Sequence, residues 1–237
     1  MTDVARFLRL ARFFRVVAPV PPLMTLAVLA GGAFGVLVVA VNPARAGAAL
    51  TPILLLQVFA SASGFMVPAR RGHYDLLLTQ GDRPSAIAAM HWAVSVAPGI
   101  ASWLATAFVE VVATGGTHAT LLRTGTIVAI VLVSTVPWAV TIALPRFAGA
   151  VGWLVGLAFV SALTPAPRGP ILFESLDAGS WPEAAIALTL YPPLLVGRDL
   201  SGATGLLALP ALMLGAGALA WALVWVGGRD IPLEAAQ

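Results

Sequence analysis

The sequence predicts an all-α integral membrane protein with six transmembrane helices, and three observations predict it. The first is composition: of 237 residues, 59% are hydrophobic and 10% charged, with a mean hydropathy of +0.96. A soluble domain carries about 25% charged residues, and a water-facing surface this poor in charge would aggregate. The second is segmentation. Six continuously apolar stretches approach the length of about 20 residues that crosses a bilayer as a helix. They are Leu23–Val41, Leu50–Val67, Ile87–Ala113, Thr124–Leu144, Phe147–Thr164 and Thr204–Val226. None alternates as a strand would, and a helix satisfies its backbone within itself. The third is charge placement. Threading six spans puts Arg6, Arg9, Arg12, Arg15, Arg70, Arg71, Arg83, Arg146 and Arg229 on one side and Arg45, Arg123, Arg168 and Arg198 on the other. The positive-inside rule makes the first side cytoplasmic, with both termini on it, as in a bacterial-type inner membrane.

Residues 1–237 read as one transmembrane domain. Over residues 1–18, Val4, Phe7, Leu10, Ala11, Phe14 and Val17 share one helical face, and Arg6, Arg9, Arg12 and Arg15 lie across the other. This is the pattern of an interfacial helix whose arginines anchor in anionic headgroups. Pro19, Pro21 and Pro22 break it. The apolar run that follows continues through "VLAGGAFGVLVVAV", too long for a signal-peptide core, and reads as an uncleaved first span.

Between the second and third spans lies "ARRGHYDLLLTQGDRP". A cytoplasmic helix over 69–81 would pair Arg71 with Asp75 at i, i+4 and gather Tyr74, Leu77 and Leu78 into an apolar patch fit for docking. Gly81 would end it, and Ser85 would cap the next helix. Residues 165–203 hold "AAIALTLYPPLLV", too short and too proline-broken to cross. They read as short external or re-entrant helices before the last span.

Absent residue types exclude chemistry. All thirteen basic residues are arginine, so there is no lysine for a phosphate-binding G-x-x-x-x-G-K-[ST] loop or a Schiff base. With no cysteine there is no disulfide, thiolate metal site or cysteine nucleophile. His73, His91 and His118 lack ligand spacing, and no hydrolase or metalloprotease motif occurs. No cofactor is expected. Glu110 is the one carboxylate well inside a predicted span, a candidate pathway or gate residue by default. Snorkelling, or pairing with Arg123, is its blander explanation. His91 and Trp92 read as interfacial anchors. Gly31/Gly35 and Gly152/Gly156 are small-xxx-small pairs suited to close helix approach, within one chain or across a dimer.

"RRGHYDLLLTQGDRPSAIAAMHW" resembles the segment after the second span in type-2 ABC exporter permeases, carried by Arg71, Gly72, Leu76, Leu77, Gly81, Arg83 and Ser85. The tight connection at Pro145-Arg146 is similar to the family's, and "LYPPLLVGRDLSG" resembles its Pro…Arg-x-Leu…Gly element through Pro192, Arg198, Leu200 and Gly202. The turn proline falls later than in many members, at Pro84. The resemblance implies a permease subunit, not itself an enzyme. It would pair with a second permease subunit, the same chain or a paralogue, and be driven by two copies of a separate ABC ATPase. Arg70, Arg71, Tyr74, Asp75, Leu77 and Leu78 would form the coupling helix, and Arg198 would lie near the exit of the pathway. No nucleic-acid partner is expected. Read without the resemblance, the chain also fits a non-catalytic membrane assembly or regulatory protein or, less well, a lipid-modifying enzyme. Apolar walls favour a lipid, an amphiphilic drug or an apolar peptide as cargo over a small ion.

Overall fold

The computed structural model describes residues 3–17, 20–62, 64–144, 196 and 202–228. The predicted fifth span and most of the 165–203 segment, Arg198 included, lie outside the described residues. Within them the chain forms helices α1 (Asp3–Val16), α2 (Pro22–Val41), α3 (Ala46–Ser61), α4 (Met66–Arg70), α5 (Asp75–Thr79), α6 (Pro84–Ala113), α7 (Thr124–Ala143) and α8 (Gly202–Gly227). Short 3-10 turns at Pro43–Arg45 and Thr120–Leu122 lead into α3 and precede α7. Five helices are long and apolar enough to cross a membrane: α2, α3 with its leading turn, α6, α7 and α8.

Local chemistry sets most of the boundaries. Pro22 and Pro84 stand at the first turns of α2 and α6, where a missing N–H costs nothing. Ser85 is therefore inside α6 and not its cap; that position belongs to Arg83, in extended conformation. The second span runs from Pro43 to Ser61, several residues earlier than the apolar run suggests. Helix α3 stops before Gly64, whose φ of 74° leaves the helical region.

The spanning helices pack side by side. Helix α2 lies against α3 and α6, α3 against α6 and α7, and α8 against α7. Most of α7 is buried, making it the central helix, whereas α2 and α8 turn most of their surface outward. Leu23, Leu26, Phe34 and Leu37 of α2, Leu104 and Phe108 of α6, and Leu209, Met213 and Val224 of α8 are all exposed. In water such a surface is an aggregation hazard; against acyl chains it matches its solvent.

Close approach comes from small and polar residues on one face of α6. His91, Ser95, Gly99, Ser102, Thr106 and Glu110 follow one another at helical spacing, and all are buried. Ser95 and Thr106 donate to carbonyls one turn back, at 2.7 and 2.8 Å, so their hydroxyls are satisfied within the helix. Ser102 reaches the Val28 carbonyl of α2 at 3.4 Å. A Cβ on Gly32 would overlap Ser102, and one on Gly99 would overlap Gln57. The glycines of α2 thus serve packing within the chain: Gly35 lies against Ile53 and Thr106, and Gly31 against Leu56. Gly152 and Gly156 fall outside the described residues.

Two apolar cores mark the two ends of the bundle. One joins Val39, Ala46, Leu50, Leu121, Val128 and Ala211; the other joins Leu10, Phe14, Phe65, Tyr74, Trp138, Ile142, Ala222 and Val226. Helices α7 and α8 both run from the first to the second and are therefore parallel. Val196 packs with the first core, beside Gly47. Leu144 follows directly on Ile142 in the second. Leu144 and Val196 thus lie at opposite ends of the bundle.

Candidate functional site

The second core forms the arginine-rich end, and the segment 62–83 is built into it. The expected single helix over 69–81 is instead two short helices, α4 and α5, joined by a turn at 71–74. Gly72 makes that turn with φ +72°, and a Cβ there would meet Asp75 Oδ2 at 2.8 Å. The stop at Gly81 is as expected. Its φ is +80°, its N–H donates to Leu78 O at 3.0 Å, and the N–H of Asp82 donates to Leu77 O at 3.1 Å. This pair of bonds is the Schellman closure of a helix.

The two-helix segment has an inner and an outer face, and the expected coupling residues divide between them. Tyr74 and Leu77 are buried, and Leu78 packs half-buried against the same core. The apolar docking patch expected of these three is thus turned inward. Arg70, Arg71, His73, Leu76, Thr79 and Gln80 face outward, Leu76 with 60% exposure. Arg71 and Asp75 do not pair, because the backbone between them is a turn and not a helix; Asp75 heads the first turn of α5.

Tyr74 is held in an aromatic cluster that draws on four parts of the chain. Its ring stacks on Phe65 at 5.2 Å and 4°, and Phe14 of α1 lies 5.7 Å away. His91 of α6 stands edge-on to Phe65 at 5.6 Å and to Phe14 at 6.2 Å. Trp138 of α7 donates from Nε1 to His91 Nδ1 at 3.2 Å. Because Nδ1 accepts, the neutral ring carries its proton on Nε2. His91 is fully buried and so is no interfacial anchor. Trp92 donates to the Ser134 carbonyl at 2.8 Å and ties α6 to α7. Burial pushes the Tyr74 phenol above its ordinary range.

Helix α1 is docked by charge as well as by Leu10 and Phe14. Asp82 is buried; its Oδ1 accepts a hydrogen bond from Arg9 Nη2 at 2.6 Å and forms an ion pair with Arg6, whose Nε lies 3.4 Å away. Two of the four expected headgroup anchors thus also pair with Asp82. Arg12 is exposed, Phe7 and Leu8 face outward, and the side chain of Arg15 lies outside the description. The sequence reading missed Asp82. Its signal was present: a carboxylate directly after the Gly81 stop, on the same side as four arginines of the first helix.

Glu110 sits at the far end. Its Oε1 accepts the Thr120 N–H at 2.9 Å and its Oε2 the Leu121 N–H at 2.8 Å, and the residue is fully buried. Both oxygens cap the Thr120–Leu122 turn, which Trp103 supports by donating to Leu121 O at 2.9 Å. The carboxylate holds the α6–α7 loop through both oxygens. At about 1.5 Å per residue, α6 is longer than the ~30 Å hydrocarbon layer, so its ends reach the headgroup depth where a carboxylate is tolerated.

A bundle of apolar helices with lipid-compatible outer faces and one end rich in arginine defines the class, that of a polytopic α-helical membrane protein. No protein-family model matches the chain, and no curated protein or solved structure matches it.

Proposed function

We propose that this chain is the membrane-spanning subunit of an ATP-driven exporter of the type-2 ABC kind. It would work as a pair of such subunits and be driven by a separate ATPase. One observation carries the reading: the segment 66–82 is a two-faced connector. Its inner face, through Tyr74 and Leu77, is locked to α1, α6 and α7, while its outer face presents Arg70, Arg71, His73 and Leu76. A push on the outer face is passed through packed rings to α6 and α7 rather than absorbed by a loose loop. The docking surface for the ATPase is therefore this outer face, and Tyr74, Leu77 and Leu78 are its anchors in the bundle.

Two further features support the reading. A sixth crossing at Phe147–Thr164, expected from the sequence, would leave both termini at the arginine-rich end, which the positive-inside rule makes cytoplasmic. A chain without lysine has no phosphate loop of its own and needs a partner that has one.

The test is gentle detergent extraction of the tagged protein with mass spectrometry of what co-purifies. A stoichiometric ATP-binding subunit is expected, lost in Leu76→Asp and in Arg70→Glu/Arg71→Glu while the permease stays folded. A preparation without an ATPase, even after cross-linking, or outward variants that keep full association, would overturn the proposal.

A further inference from the structure

We propose that the arginine-rich end carries a binding site for one anionic phospholipid, in the groove between α1, the start of α6 and the end of α8. This goes beyond the exporter reading and does not depend on an ATPase partner. The groove has a volume of about 830 Å³, within the range of small-molecule sites. Its walls are apolar: Phe7 and Leu10 from α1, Met90 from α6, and Leu219, Leu223 and Val224 from α8. Phe7 and Val224 are exposed at 59% and 76%, so the groove opens sideways onto the surface that faces acyl chains.

The charged part of the wall is all of one sign. Arg6 and Arg83 line the groove, with Ser85 between the α6 entry and the α8 end. Arg6 and Arg9 share the single carboxylate of Asp82. Arg83 makes no ion pair among the described residues and is exposed. Among the described residues, Arg6, Arg9 and Arg83 stand against the one carboxylate of Asp82, two positive charges in excess beside an apolar cleft that Arg6 and Arg83 line. An occupant that satisfies both parts has an anionic headgroup and an acyl tail. A basic pocket between spanning helices at headgroup depth is the setting in which such lipids are recognised. A neutral lipid would leave the arginines unmatched, and a soluble anion would leave the apolar walls bare.

The experiment is native mass spectrometry of the full chain, delipidated and titrated with phosphatidylglycerol or phosphatidylcholine, beside three variants. Arg83→Gln removes the arginine outside the Asp82 pair. Ala89→Phe fills a lining position. Arg71→Gln removes an equal charge at the same end but outside the groove. Expected are retention of one phosphatidylglycerol in preference to phosphatidylcholine, about fivefold weaker binding in Arg83→Gln, the contribution of one arginine near an anionic surface, loss in Ala89→Phe, and no change in Arg71→Gln. Glycerol phosphate in excess should not displace the lipid. Equal retention of both lipids, equal weakening by Arg71→Gln, or displacement by glycerol phosphate would each overturn the proposal. Because Arg83 is exposed, its variant folds independently of the outcome, and an unchanged melting temperature verifies this.

Discussion

Replacing Asp82 with Asn should release α1 from the bundle. Residue 82 is tied to Arg9 across 73 positions of sequence, and the carboxylate is buried while the two arginine side chains keep 30% and 36% of their exposure. Breaking a fully buried pair costs about 3–5 kcal/mol and an exposed one about 0–1. With the acid buried but both bases reaching water, solvent screening brings the expected loss to about 1–2 kcal/mol. That corresponds to about a five- to thirtyfold rise in the population with α1 undocked. The chain has no cysteine, so Leu10→Cys, at a position only 3% exposed, gives one clean reporter. Its rate of maleimide labelling in detergent should rise by that factor in Asp82→Asn and stay unchanged in Asp75→Asn, which alters a carboxylate at the same end without touching α1. In a double-mutant cycle, Arg9→Gln and Asp82→Asn should be strongly non-additive. An unchanged labelling rate in Asp82→Asn, or the same rise in Asp75→Asn, would refute the docking argument.

Glu110→Gln leaves one of two backbone N–H groups facing an amide donor in a buried site, and a loss of about 1–3 kcal/mol is expected as a lower melting temperature. Proteolysis within 114–119 should quicken in the same variant. In a Tyr191→Phe background Tyr74 is the sole tyrosine, and its phenolate absorbance should be missing at pH values where a free tyrosine, near about 10, has ionised. The sign follows from the raised folded value: the Tyr74 contribution is complete below the unfolded pKa and is lost as pH rises toward the folded one, so Tyr74→Phe should blunt alkaline unfolding. Gly32→Val should separate α2 from α6, because the added atoms overlap Ser102, and should lower thermal stability more than Gly217→Val, where a Cβ meets nothing.

The parts legible in the sequence are those fixed by local rules. Length and continuous hydrophobicity found the spans that became α2, α3, α6, α7 and α8, because a bilayer imposes one length scale on every one of them. Gly81 announced its own role, since a left-handed residue after a leucine run is a helix stop wherever it occurs. The errors lie where tertiary contacts choose between two faces that composition leaves equal. Tyr74, Leu76, Leu77 and Leu78 are all apolar; that Tyr74 and Leu77 turn inward and Leu76 outward depends on Phe14, Phe65, His91 and Trp138, which come from 14 to 138 along the chain. Arg6 and Arg9, which a helical wheel places on the polar face, also reach Asp82, a contact far along the chain that no wheel shows. For Glu110 the sequence offered snorkelling or Arg123 as the bland answer to the cost of a carboxylate in a span, and the partners are instead two backbone N–H groups of a turn ten residues on. The consequence for function is specific. A substitution at Leu77 or Tyr74 disturbs the core and reports on folding, whereas one at Leu76, Arg70 or Arg71 alters only the outer face. The coupling hypothesis therefore stands or falls on the outward residues, where loss of ATPase association without loss of stability is its distinguishing signature.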